Sequence, residues 1–232
     1  MTSKPKTAER KRGSGAQFVY SILRDEILDL TLLPGSPIDE IRLSERLSMS
    51  RTPIREALVR LASEGLVTTL PNRSTVVSNI DFMNLHTFFD AMTLMYRVTT
   101  RLAAQFHTPA DMANIRARQV EFAKAVSAQD ALSMIATNRE FHAEIARAGR
   151  NPYYESLCLR LLDEGRRLLR MYYQSFDDQL PSEYVQEHED LIAAIEARDI
   201  ALADSLAATH ADQIVRQIQA LISRDRRQHI DL

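Results

Sequence analysis

Beyond Asp81 no stretch of the chain alternates as a strand does. Leu85, Phe88/Phe89, Met92, Met95/Tyr96, Thr99, Leu102/Ala103 and Phe106 instead recur at the spacing of one long helix face. Thr108-Pro109-Ala110-Asp111 places a capping hydroxyl, a proline and an acid in the order that opens a helix. Further helices are expected at roughly 130–148, 153–175, 181–197 and 199–223, with breaks at Gly149-Arg150-Asn151-Pro152, Leu180-Pro181 and Arg198-Asp199. Short connections make sequential helices pack side by side, so this half reads as an all-α antiparallel bundle of about six helices.

The first 80 residues read differently. Phe18, Ile22, Leu23, Ile27 and Leu30 trace a helix from about Gln17 to Leu32, stopped by Pro34-Gly35. Ile38, Ile41 and Leu47 suggest a short second helix, and Ile54, Ala57, Leu58 and Leu61 a third, with only Ser48-Met49-Ser50 between them, which is helix-turn-helix spacing. After Gly65, Leu66–Leu70 and Thr75–Ser78 are β-branched and joined through Pro71-Asn72-Arg73-Ser74, as in a β-hairpin. The expected fold class is mainly α: an N-terminal winged helix-turn-helix over 16–80 and a helical bundle over 81–225. Residues 1–15, with Lys4, Lys6, Arg10, Lys11 and Arg12, read as a flexible basic tail.

The formal charge of −2 hides an asymmetry: residues 1–80 carry 12 Lys and Arg against 9 Asp and Glu, and the remainder 17 against 22. A positive head suits phosphate neutralisation, the sequence-independent part of DNA affinity. There is no apolar run of the roughly 20 residues that span a bilayer and no secretory signal, so no membrane partner and a cytoplasmic location are expected. The single cysteine, Cys158, rules out an intrachain disulfide and a thiolate zinc cage.

The segment Ser50-Arg51-Thr52-Pro53-Ile54-Arg55-Glu56-Ala57-Leu58 opens the third helix. Ile54, Leu58 and Leu61 share an inward face, whereas Arg51 and Arg55 lie four apart on another face near the helix start, where a recognition helix meets base edges. A guanidinium matches guanine O6 and N7 bidentately. Ser50 and Thr52 sit beside unpaired N–H groups and suit either a helix cap or a phosphate oxygen. Arg73 at the hairpin tip is a candidate contact to the minor groove or the DNA backbone.

The run SRTPIREALVRLASEGLV, residues 50–67, resembles the signature of GntR-family regulators, and the helical remainder resembles the FadR-type subgroup with an FCD effector domain. The resemblance implies a ligand-responsive transcription regulator, in the usual case a repressor, of a metabolic operon. It also implies a homodimer on a palindromic double-stranded DNA operator, and an all-helical unit that binds effector and dimerises. The family usually carries glycine at the hairpin tip, where this chain has Arg73-Ser74.

His142, His188 and His210 each occupy an inward position on a different helix. Burying three imidazoles without partners costs several kcal/mol, and one divalent cation would satisfy a nitrogen of each. Asn138, one turn before His142, supplies an oxygen on the same face. The resemblance assigns this set, Asn138, His142, His188 and His210, to a metal site; donor chemistry leaves zinc, nickel and manganese open. FCD regulators commonly answer small organic acids, and their first bundle helix usually carries an arginine, which pairs with the effector carboxylate, and, four residues on, a glutamate. Met92 and Tyr96 stand in those places here and are the candidate lining of the effector pocket. A metal-dependent hydrolase is the rival reading, without a general base or nucleophile motif to support it, so an enzyme is not expected.

Overall fold

The first helix begins earlier and stops sooner than its periodicity suggests. α1 spans Ser14–Leu28, and Leu30 takes a left-handed backbone (φ 60°), so Leu30 belongs to the turn beyond it. Its buried residues are Val19, Tyr20, Leu23, Ile27 and Leu28, whereas Phe18, one of the residues whose spacing marks the helix, is half exposed. The structure is a computed structural model that describes residues 14–71, 73–175 and 183–228, with side chains as far as 220. The basic tail and the Leu180-Pro181 break lie outside the described residues, apart from residues 14 and 15, with which α1 opens.

Contacts divide the chain after Ile80 into two units. In the first, β1 (Pro37–Ile38) pairs antiparallel with β3 (Thr75–Val77), which also pairs with β2 (Val67–Thr69), giving the order β1-β3-β2. Ile38 therefore sits opposite Thr75 in the sheet rather than in the second helix, where its spacing placed it. A two-residue strand is too short to alternate, so nothing in the sequence separates it from a helix start. The helix proper, α2 (Glu40–Leu47), begins after Asp39, whose carboxylate accepts from the Ile41 and Arg42 N–H groups. Ser48 adopts a left-handed backbone (φ 51°), and Met49 and Ser50 complete the turn into α3 (Arg51–Ser63).

Leu23, Ile27, Ile54, Leu61, Leu66 and Val77 meet in one core that joins these helices to the sheet. Deleting a side chain such as Leu61 to alanine there would cost about 2–5 kcal/mol. Arg60 lies over the Tyr20 ring at 3.6 Å, and the Tyr20 hydroxyl donates to Glu64, which ties the rim of α1 to α3.

The second unit holds a 3-10 turn at Phe82–Asn84 and then α4 (Leu85–Phe106), α5 (Pro109–Ser127), α6 (Ala131–Ala148), α7 (Pro152–Gln174), α8 (Glu183–Glu196) and α9 (Ile200–Gln228). Local chemistry sets the starts. Thr108 and Asp111 form a reciprocal capping box on α5, Asp130 caps α6, and Asn151 caps α7 with Pro152 in its first turn. α4 packs on α6, α7, α8 and α9. Gly149, just past α6, lets that end approach α4: a Cβ there would lie 2.9 Å from the Leu102 Cβ, closer than real contacts allow. No helix among the described residues is long and apolar enough to cross a membrane.

Candidate nucleic-acid interface and candidate metal centre

Ser50 is the N-cap of α3, yet its hydroxyl makes no capping hydrogen bond. That leaves both the hydroxyl and the first N–H groups of the helix with hydrogen-bonding capacity for an anion. Ser50, Arg51, Thr52 and Arg55 are all exposed, while Ile54, Ala57, Leu58 and Leu61 fill the core side of the same helix. Arg55 donates from Nε to the Glu40 carboxylate of α2 at 2.8 Å. With the arginine side chain 62% exposed, such a pair contributes about 0–1 kcal/mol, so another acceptor can displace it cheaply.

Arg73 is exposed and carries φ 66°, the left-handed backbone that glycine favours. Its N–H donates to the Leu70 carbonyl, and the Leu70 N–H donates to the Ser74 carbonyl. The tip is thus held by its own backbone with an arginine at its apex.

In the second unit α6, α8 and α9 bring His142, His188 and His210 together, all buried, with no two of their ligating nitrogens more than 4.8 Å apart. Two neighbours absent from the sequence reading fix the rings. Gln119 of α5 donates from Nε2 to the Val185 carbonyl at 3.0 Å; a carbonyl only accepts, so the amide oxygen faces His188 and must accept from its Nδ1–H. The His210 Nδ1–H donates to the Glu187 carboxylate at 2.7 Å. In its neutral form each ring therefore turns a bare Nε2 away from that partner. The His210 Nε2 lies 3.2 Å from the His142 Nε2, whereas the His188 Nε2 is buried with no hydrogen-bond partner among the described residues.

One shared proton can satisfy the first pair but not the third ring. A cation satisfies all three, and the orphaned acceptor otherwise costs about 1–3 kcal/mol. The residues present thus fit a divalent metal. Burial, and then the other rings of the cluster, hold the titration of His142 and His188 well below the usual imidazole range, which keeps both neutral as ligands must be. Phe141 stacks on His188 at 4.0 Å and Tyr96 lies over His142 at 4.4 Å, closing the cluster with aromatic faces.

Asn138 is buried one turn before His142 on α6 and lines a cavity of about 10 Å³, room for about one water, together with Met92, Tyr96, Arg139, Gly165 and Arg166. Met92 and Tyr96 thus share one cavity beside the histidines. Glu187 and Gln119 left little trace in the sequence: Glu187 precedes an inward histidine on an amphipathic helix, where a glutamate is ordinarily solvated, and Gln119 is one polar residue in a long helix. Of the remaining histidines, His107 is buried with Nδ1 against the Ala103 carbonyl and His86 is exposed, while His229 lies outside the described residues. Burial pushes the Cys158 thiol up to about 12, as for an unreactive packing residue.

The family models of the bacterial regulatory proteins of the gntR family and of the FCD domain match residues 15–77 and 88–213 respectively. The chain belongs to the GntR family. The HTH-type transcriptional repressor RspR of Escherichia coli strain K12 is 26% identical over 211 residues, covering 88% of this chain and 90% of that protein. The Nta operon transcriptional regulator of Aminobacter aminovorans is 31% identical over 120 residues, covering 51% and 56%. Among solved structures, E. coli McbR/YncC superposes with a TM-score of 0.80 at 23% identity, over 90% of this chain and 99% of that one. This GntR-family protein has the fold and the relatives of a transcription regulator, not of an enzyme. DNA is the partner its family implies, and FCD domains often bind metal.

Proposed function

We propose that this protein is a ligand-responsive transcription regulator, in its simplest form a repressor, that binds a palindromic operator as a homodimer and changes its operator affinity when a small organic molecule enters the helical unit. What carries the reading is the pairing, in one chain, of exposed arginines at the start of a recognition helix with three converging buried imidazoles. Arg51 and Arg55 of α3 read base edges, Ser50 and Thr52 hold phosphate oxygens at the helix start, and Arg73 extends the contact from the wing. The Glu40–Arg55 pair holds one reading group in place until DNA exchanges a carboxylate for a guanine edge.

Asn138, His142, His188 and His210 hold a divalent cation, with zinc, nickel and manganese all compatible with these donors. When bound, the ion supplies a Lewis-acidic centre for an oxygen of the effector. Met92 and Tyr96 of α4 line the cavity through which the effector reaches this unit, and that cavity widens beyond its one-water volume when the effector enters; neither side chain carries a charge, so both contribute shape. Selection from a pool of random duplexes tests the reading. Enrichment of inverted repeats, bound by a species of dimer mass and released or tightened by some member of a panel of small carboxylic acids, is expected. Enrichment of no sequence, or of asymmetric sites bound by monomer, refutes it.

A further inference from the structure

The geometry points to Glu187 as the residue that orients His210 and supplies the negative charge of the metal centre, so that it sets how tightly a divalent cation is held. The inference rests on reading the histidine cluster as a metal site. The donors of that site are neutral: three imidazoles and the Asn138 amide, with nothing among them to offset two positive charges. Among the described residues Glu187 is the one carboxylate hydrogen-bonded to a ring of the cluster, at 2.7 Å from the His210 Nδ1.

Helix geometry explains how one short stretch serves two ligands. Glu187 and His188 are consecutive on α8, so their side chains diverge by roughly 100°. His188 turns fully inward against Phe141 and Phe122, and Glu187, part-buried, reaches across to His210 on α9. The carboxylate does two things to that ring. It fixes the proton on Nδ1, which leaves the Nε2 lone pair toward His142, and it makes the imidazole a stronger donor. Gln119 performs only the first of these for His188: its amide fixes the tautomer and brings no charge. The two supports therefore differ in kind, and the charged one matters more because the ligands around it are uncharged.

The test uses the full chain stripped of metal and reloaded with Co2+ or Zn2+ against a competing chelator. Glu187→Gln, which keeps the shape and loses the charge, should weaken metal binding by about tenfold, and Glu187→Ala by up to about 100-fold. Both should shift the visible bands of the Co2+ form. Nitrogen-15 spectra of the histidines in the metal-free protein should report His210 with its proton on Nδ1 in the wild type and a mixture of tautomers in Glu187→Ala, a change that a purely structural role would not produce. Gln119→Ala should free the His188 tautomer with a smaller loss of affinity than Glu187→Ala. Wild-type affinity and an unshifted Co2+ spectrum in both Glu187 variants would overturn the role of Glu187 while leaving the metal site standing. Failure of the wild-type chain to bind either metal, with His142→Ala indistinguishable from it, would overturn both.

Discussion

The two units of this protein place their candidate functional groups under opposite conditions. In the first, Ser50, Arg51, Thr52, Arg55 and Arg73 are exposed, and Arg55 is held by its surface pair with Glu40. In the second, His142, His188 and His210 are at most 3% exposed, and two of the three are held by a second residue. Each arrangement suits the ligand proposed for it. A duplex is large, wet and charged, so its reader needs guanidinium groups already in water, where they exchange one weak acceptor for another. A single ion repays burial, because in a dry site an imidazole nitrogen without a partner is costly and a bound cation removes that cost.

If that contrast is right, the largest effect belongs to the buried unit. His142→Ala together with His188→Ala should abolish stoichiometric metal, read by elemental analysis, since two of the proposed donors disappear. Retention of one ion per chain would break the comparison.

Next come the exposed arginines. Arg51→Ala should lower operator affinity by about 10–100-fold, corresponding to roughly 1–3 kcal/mol for a bidentate guanine contact, with an unchanged melting temperature. Arg55→Ala should behave alike, with only a slight stability change from the lost Glu40 pair. Gel-shift titration of both variants, with melting curves alongside, would show whether function and stability separate in this unit.

The comparison sharpens with pH. In the metal-free protein the titration of His142 and His188 is pushed down by burial, so below about pH 6.5 the unfolded chain takes up protons that the folded one refuses. Stability is complete above that pH and falls beneath it, by about 1 kcal/mol per pH unit for each ring. Urea unfolding at pH 7.5 and 5.5 measures this; the doubly substituted alanine protein should lack that part of the slope, and an equal slope in both would contradict the assignment.

The smallest effect is expected at the wing. Arg73→Gly relieves a left-handed non-glycine residue but adds freedom to the unfolded chain, so stability should move by no more than about 1 kcal/mol. The salt dependence of DNA binding should lose about one phosphate contact.

Much of the architecture was legible in local pattern. The change from mixed pattern to unbroken helical spacing after Ile80, the turn at Ser48-Met49-Ser50 and the cap at Thr108-Pro109 are all short-range signals, and each depends on neighbours within one or two turns. Ile38 was misplaced because two residues carry no period, and only pairing with Thr75 makes them a strand. Phe18 belongs to the apolar spacing that marks α1, yet helical spacing alone does not say which of two adjacent apolar stripes the core covers; Val19 and Tyr20 are the buried ones.

The sequence by itself determined that three histidines point inward from three helices and that two arginines share the start of a fourth, because helix periodicity is a property of the chain alone. That Gln119 and Glu187 hold two of those rings, and that the His188 Nε2 is left facing the cluster without a partner among the described residues, only tertiary packing decided. Those contacts join residues 69 and 23 positions apart. Hydrogen bonds over such separations depend on how whole helices dock, which no local spacing records.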